Sequence, residues 1–199
     1  MILQVIESAG WPIWLLIFTS IAALSIIIER AWFLREQSVI PRDLVMTVKM
    51  MVDKNNIKRE ELMQLCHGNF LGEVYSVILK NSDHTSKQIR AELEQVADNI
   101  RYRLELNLSY LSTIATIAPL LGLFGTIIGM VELFDSFTAG GSDVSAFANG
   151  ISIALYNTAA GILVAVPVMI AYRFYKIKVD HRLNELELHA NILIAEIYK

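Results

Sequence analysis

The 199-residue chain is poor in cysteine, proline and net charge. Its one cysteine, Cys66, excludes an internal disulfide and any multi-cysteine metal cluster. Cys66 and His67 stand alone as neighbours, a pattern that fits a half-buried helix end better than a metal site. The net charge of −3, with no basic patch, excludes the electrostatic footprint of a nucleic-acid binder. No stretch alternates polar and apolar residues as a half-buried strand does, so the fold class is all-α. There is no HExxH, no glycine-flanked serine with a histidine partner, and no pair of intramembrane aspartates. The chain therefore reads as no enzyme.

What it has instead is apolar residues: 54% of the chain, with a mean hydropathy of +0.46. That balance fits an integral membrane protein with a helical part outside the bilayer. The central stretch is Ala118–Val131, APLLGLFGTIIGMV. Ala115, Ala118, Gly122, Gly125 and Gly129 recur at three to four and share one helix face. Gly125 and Gly129 form a GxxxG pair, which admits a second helix backbone. Pro119 has no amide hydrogen to give the carbonyl of Ala115, a gap that membrane helices tolerate beside a cavity or polar neighbour. Thr126 adds a hydroxyl deep in the span.

In chain order, residues 1–10 hold no Lys or Arg. A first span covers 11–33, with no charge from Trp11 to Ile28, long enough to cross a bilayer. A cleaved signal peptide needs a basic start and a shorter core, and neither is present. Trp11, Trp14 and Trp32 suit the two interfaces. Residues 34–110 read as a helical region outside the membrane, punctuated by Pro41, Asn55-Asn56, Gly68-Asn69 and the run from Asn81 to Thr85. Leu44, Val45, Val48 and Val52 make one apolar stripe there. Leu71, Val74, Tyr75, Ile78 and Leu79 make another.

Thr85 and Gln88 have capping-box spacing. Ile89, Leu93, Val96, Ile100, Leu104, Leu108 and Leu111 then recur at three to four. This predicts one helix from about Ser86 to about Phe134, roughly 70 Å long, running out of the cytoplasm as a rod through the second span, 111–134. A short loop, 135–148, surrounds Gly140-Gly141. The third span, 149–172, repeats the small-residue seam with Gly150, Ala154, Thr158, Gly161 and Ala165. Residues 173–199 continue as an amphipathic tail along Val179, Leu183, Leu186, Ala190, Leu193 and Ile197.

Positive charge sets the expected topology. Residues 34–110 hold 11 Lys or Arg and the tail holds five, while residues 1–10 and the 135–148 loop hold none. The N-terminus and short loop are expected outside, the large loop and tail in the cytoplasm. Glu29, Arg30 and Glu132 sit near span ends, and none is near a midplane. Intramembrane charges are costly and usually functional, so this chain alone relays no proton through a titrating side chain at its centre. It offers Thr126, Ser152, Asn157 and Thr158.

Counted from the span centres, Leu123 and Gly161, Thr126 and Thr158 each lie three residues outward, roughly 4.5 Å. Two readings stand side by side. The threonines form a polar ring when copies assemble, or each bonds a carbonyl of its own helix at i−4. Asn157 is expected against another helix or water, because an unpaired amide in hydrocarbon costs roughly 1–3 kcal/mol or more.

APLLGLFGTIIGM followed by GISIALYNTAAGILVAVP, with the lead-in RLELNLSYLSTIA, resembles the ExbB/TolQ/MotA family of proton-channel subunits. Three spans resemble the ExbB/TolQ branch rather than four-span MotA. The resemblance implies a homopentameric ring around a dimer of single-span ExbD- or TolR-like partners. An aspartate in the partner's span carries the proton, and no cofactor is needed. Hydroxyl walls with a carboxylate suit sodium ions as well as protons. By motif position, Thr126 and Thr158 correspond to the family's channel-facing threonines, with Asn157 and Pro119 alongside them on the ion and partner side. Gly122, Gly125, Gly129, Gly150, Ala154 and Gly161 serve helix packing.

This chain departs from the family in having Ile153 where many relatives have an acidic residue, and Asn157 where Thr or Ala is usual. The implied function is a proton-motive-force-driven motor subunit of the inner membrane. Its output passes to a TonB-like arm powering outer-membrane transport, or to a TolA-like arm in a TolQ role at division. A non-conducting membrane scaffold is the rival of another class, and a self-sufficient channel would conduct without a partner chain.

Overall fold

The computed structural model describes residues 10–35, 39–53, 68–81, 85–138 and 144–197. They form five helices: α1 Pro12–Phe33, α2 Arg42–Asp53, α3 Phe70–Lys80, α4 Ser86–Thr138 and α5 Val144–Ile197. The described residues are all-α, and three helices are long and apolar enough to cross a membrane. The chain is a multi-pass membrane protein, as composition and hydropathy led us to expect. Helix α4 begins at Ser86, as the apolar periodicity predicts, and runs past Phe134 to Thr138. Helix α5 starts at Val144 and joins the expected third span and tail without a break. The helices thus take up much of the expected 135–148 loop, because Asp135–Thr138 and Val144–Ala148 contain no Gly or Pro to stop them. Cys66-His67, Asn55-Asn56 and Gly140-Gly141 lie outside the described residues.

The chain divides into two units, Met1–Glu29 with Asn107–Arg173, and Arg30–Leu106 with Phe174–Lys199. In the first, α1 contributes Leu16 to a small core with Ala118 and Ala165, against which Leu121, Ala160 and Val164 pack. Large apolar side chains point outward: Phe18 is 75% exposed and Leu163 75%. In water such a surface would be penalised, whereas lipid is its natural solvent. Both Trp11 and Phe124 are exposed to the surroundings, and their rings meet edge to face at 5.9 Å. Asn107 Nδ2 donates to Glu29 Oε2 at 2.9 Å.

The second unit has the ordinary core of a helical bundle. Leu44 and Val48 of α2 are buried, as are Leu71, Val74, Tyr75, Ile78 and Leu79 of α3. Ile89, Ile100 and Leu104 of α4 and Val179, Leu183, Leu186, Ala190 and Leu193 of α5 are buried with them. The start of α3 is capped by Asn69, whose side chain accepts from Gly72 N at 2.6 Å. Before it, Gly68 takes φ +93°, a conformation that suits a residue without Cβ. At the start of α4 only half of the capping box forms. Thr85 N donates to Gln88 Oε1 at 3.0 Å, but the Thr85 hydroxyl donates to that same oxygen, at 2.8 Å, instead of accepting from the backbone.

Arg30 is 3% exposed and donates to the carbonyl of Leu104 at 2.9 Å, with its guanidinium 4.8 Å from the Phe33 ring centre. The Phe33 ring in turn meets Phe70 edge to face at 6.1 Å. Lys176 and Glu105 pair at 2.6 Å, half-buried. Arg103 reaches Glu73 with bonds of 2.7 and 2.9 Å and lies over the Phe70 ring at 4.7 Å.

Candidate functional site

The candidate site is the seam between α4 and α5 in the first unit. Contacts run in opposite chain order along it: Gly122 with Gly161, Gly125 with Asn157, Gly129 with Ala154, and Leu133 with Gly150. The two helices are therefore antiparallel. The cause lies in the sequence, because small residues at every third or fourth position leave no side chains to hold the backbones apart.

Closest backbone approach falls one turn before Gly125, on the N-terminal side of the GxxxG pair in α4. A Cβ built on Gly161 would lie 2.7 Å from the Ala118 carbonyl oxygen and 3.0 Å from Gly122 Cα. One built on Gly122 would lie 2.8 Å from the Asn157 carbonyl oxygen and 3.2 Å from Thr158 Cα. Each glycine thus faces a carbonyl of the other helix, an arrangement suited to weak Cα–H···O contacts. The seam loosens toward the C-terminal end of α4. At Gly129 the nearest atoms, those of Ala154, are at 3.7 Å, an ordinary contact. At Gly150 the end of the Leu133 side chain fills the missing Cβ position.

Asn157 lies inside this seam. It is 1% exposed, and its Cβ and Cγ sit 2.7 Å from where a Cβ on Gly125 would be. Its Nδ2 donates to the carbonyl of Ile153 at 3.4 Å, a long bond within its own helix. The side chain thus packs against another helix of the same chain.

Thr126 and Thr158 are the residues that follow Gly125 and Asn157. Where two residues face each other across antiparallel helices, a turn of 100° onward in each helix leads to the same side of the pair. The two threonines therefore share an edge of the pair, about 3 Å apart along the helix axes because the two steps run in opposite directions, and both are half-buried. The Thr126 hydroxyl donates to the carbonyl of Leu123 at 2.6 Å, three residues back rather than four. Thr113, Thr116 and Ser152 also bond their own helices, at 2.8–3.2 Å. A hydroxyl that donates inward keeps its oxygen lone pairs as outward acceptors. Pro119, half-buried, lies seven residues before Thr126 and so on the same face, two turns earlier along α4. Pro119, Thr126 and Thr158 thus share one side, while Asn157 sits between the helices.

The buried Arg30, the Lys176–Glu105 pair and the Asn107–Glu29 bond were not foreseen as partnerships. A charge at the end of an uncharged run signals Arg30. Nothing in the local pattern announces a pairing across 71 or 78 residues. A cleft of about 470 Å³ in the second unit lies between the Arg90–Arg101 stretch of α4 and the Leu183–Asn191 stretch of α5. Its Arg90, Glu94, Asp98 and Glu187 are exposed, solvated charges of both signs.

The profile of the MotA/TolQ/ExbB proton channel family matches residues 57–188, well over half of the chain. A putative biopolymer transport protein ExbB-like 1 from Synechocystis sp. is 31% identical over 162 residues, covering 79% of this chain and 64% of its own length. A putative biopolymer transport protein ExbB homolog from Methanothermobacter thermautotrophicus is 26% identical over 189 residues, covering 94% of this chain and 67% of its own length. The biopolymer transport protein ExbB of Helicobacter pylori is 42% identical over 76 residues, covering 38% of this chain and 52% of its own length. The chain spans about two thirds or less of the length of these relatives. The matched region takes in the whole glycine seam, both threonines and Asn157, and on it this chain belongs to the MotA/TolQ/ExbB proton channel family.

Proposed function

We propose that the chain is an ExbB-like motor subunit. Copies assemble as a pentameric ring in the inner membrane, N-terminus outside and C-terminus in the cytoplasm, around a dimer of single-span ExbD- or TolR-like partners. Proton flow through the ring moves the partner and energises a TonB-like periplasmic arm. The observation that carries this reading is the placement of Thr126 and Thr158 on one edge of α4–α5, within about one helical turn of each other. Residues 111–131 and 150–172, around these threonines, contain no ionisable side chain of Asp, Glu, His, Lys or Arg. A site with hydroxyls and no carboxylate holds a titrating group only if a partner brings one.

The chemistry is consistent. With its proton committed to Leu123, Thr126 presents an acceptor, which suits the O–H of a protonated partner carboxyl. A carboxylate would require the hydroxyl to turn and give up its backbone bond. The wall therefore favours the neutral, movable form of the partner. Each elementary charge crossing about 100 mV releases about 2.3 kcal/mol, so a few protons drive one mechanical step. The ExbB names of the relatives favour a transport role over a TolQ-like role at division.

The deciding experiment is the native mass of the detergent-extracted complex with and without a co-expressed single-span partner. Proton flux in vesicles is then measured for Thr126→Val and Thr158→Val. Five copies with two partners, and flux falling about 10-fold or more for each variant, support the motor, since misplacing or removing a polar contact in a conducting step costs that much. A chain that ignores the partner, or valine variants that work normally, would leave the non-conducting scaffold as the better account.

A further inference from the structure

Gly125 and Asn157 fit each other as notch and wedge. The amide side chain of Asn157 occupies the space a Cβ at position 125 would need, with Cβ and Cγ both 2.7 Å away and Nδ2 3.1 Å away. Below 3.0 Å something has to shift, and the Cβ of Asn157 is fixed to its own backbone. Any residue other than glycine at 125 therefore pushes α5 outward or turns it. Asn157 itself is 1% exposed, so it has little surface to offer an ion or a partner. Inward of it the backbones touch at Gly122 and Gly161, and outward the gap relaxes to 3.7 Å at Gly129. The wedge sits where tight contact gives way to loose contact, one residue before Thr158 and level with Thr126.

We infer that Asn157 is a positioning residue: wedged in the notch of Gly125, it sets the separation and rotation of α4 and α5 at the depth of Thr126 and Thr158. Its influence on ion passage rests on the motor reading, but its influence on helix spacing does not. Turning α5 on this pivot moves the Thr158 hydroxyl relative to Thr126. A displacement of about 1 Å in a working site costs on the order of 100-fold in rate. Asn157 thus acts through Thr158 and bears no proton.

The test uses the full chain in membranes with Cys66→Ser, which removes the single native cysteine. Gly129→Cys with Ala154→Cys serves as a ruler, because their Cβ positions are 3.7 Å apart, within the range of about 3.5–4.5 Å that a disulfide spans. The rate of oxidative closure is compared in four backgrounds, together with the amount of chain in the membrane and the proton flux per assembled complex with the co-expressed partner. Gly125→Ala is expected to slow closure about 10-fold or more, by overpacking. The exchange Gly125→Ala/Asn157→Gly, which moves the notch to the other helix, is expected to restore closure to within about threefold, the signature of two coupled sites. Asn157→Leu keeps a branched wedge without the amide and closes within about threefold of the parent. Flux follows the same order, with Asn157→Leu conducting at about a third of the parent rate or better, as spacing rather than amide chemistry dictates.

Unchanged closure in Gly125→Ala, or no recovery in the exchange, overturns the wedge. Loss of flux in Asn157→Leu at an unchanged closure rate overturns it too, by placing the amide in the ion path. A parent complex that conducts nothing defeats the motor reading, and the closure series then decides the wedge alone. Membrane levels that fall in parallel with flux in all variants would reduce Asn157 to a merely structural residue.

Discussion

Gly161 meets Gly122 backbone to backbone: a Cβ on Gly161 would stand 3.0 Å from Gly122 Cα and 2.7 Å from the Ala118 carbonyl oxygen. Neither neighbour is a side chain that can swing aside. Further along α4, Gly129 has room at 3.7 Å. Two identical glycine-to-alanine changes on one seam should therefore have opposite effects. Gly161→Ala is expected to destabilise the α4–α5 pair by about 1–3 kcal/mol through overpacking. Gly129→Ala is expected to be neutral or to stabilise by up to about 1 kcal/mol, the helix-propensity gain of alanine. Thermal midpoints of the detergent-extracted chain, read by size-exclusion recovery after heating, decide it. Equal midpoints would contradict the seam described above.

Arg30 is a buried cation of the second unit, bonded to the Leu104 carbonyl at 2.9 Å and stacked on Phe33. A hydrogen bond from a charged donor is worth about 1.5–3 kcal/mol. Arg30→Met should remove that much from the unit while keeping the apolar stem. Arg30→Lys should recover little of it, since a lysine lacks the planar fork that bonds and stacks together. The readout is protease sensitivity of the Arg30–Leu106 unit in membranes. Full recovery by lysine would mean that charge alone matters there.

Lys176 and Glu105 are each partly exposed, at 38% and 29%, so solvent screens their attraction. A double-mutant cycle of Lys176→Met and Glu105→Gln is expected to give a coupling of about 1 kcal/mol or less, the upper range for such pairs. Raising the salt concentration should shrink it further. A coupling that ignores salt would show that the pair is shielded in the assembled protein.

His189 is half-buried on α5, and burial pushes its imidazole below the ordinary value near 6.5, with Glu185 pulling it partly back. The same Glu185 also lies 3.5 Å from His181 and 2.5 Å from Arg182. A base with a depressed folded-state pKa is neutral in the fold while the unfolded chain takes up a proton. Stability is then lost as pH falls below about 6.5, and the loss levels off beneath the depressed value. Amide exchange in the last turns of α5, corrected for the intrinsic pH effect, should be faster at about pH 5.5 than at about pH 7.5. His189→Asn should flatten the difference. A steeper dependence in that variant would assign the titration to another group.

Periodicity carried most of the helix pattern. The stripe Leu71, Val74, Tyr75, Ile78 and Leu79 is buried throughout, as is the tail stripe from Val179 to Leu193. The α4 stripe is buried at Ile89, Ile100, Leu104, Leu108 and Leu111, and half-buried at Leu93 and Val96. Spacing of small residues likewise announced a seam at Gly122, Gly125, Gly129, Gly150, Ala154 and Gly161, and all six lie on it. The lengths of α4 and α5 beyond the expected loop edges were less legible, because polar residues without Gly or Pro neither forbid nor demand a helix.

Composition and spacing by themselves determined that this is an all-α membrane chain with three spans, repeats of small residues along two of them, and threonines in those spans without a carboxylate nearby. These are properties of one helix at a time, and a local repeat of 3.6 residues encodes them. Which backbone touches which was a matter for the tertiary structure. It placed the closest approach at Gly122–Gly161 rather than at the GxxxG pair, turned Asn157 into the seam, and bound Arg30 to Leu104. Such choices depend on the register and rotation of two helices against each other, which differ by small steric terms summed over many residues. No single repeat in the sequence records that sum.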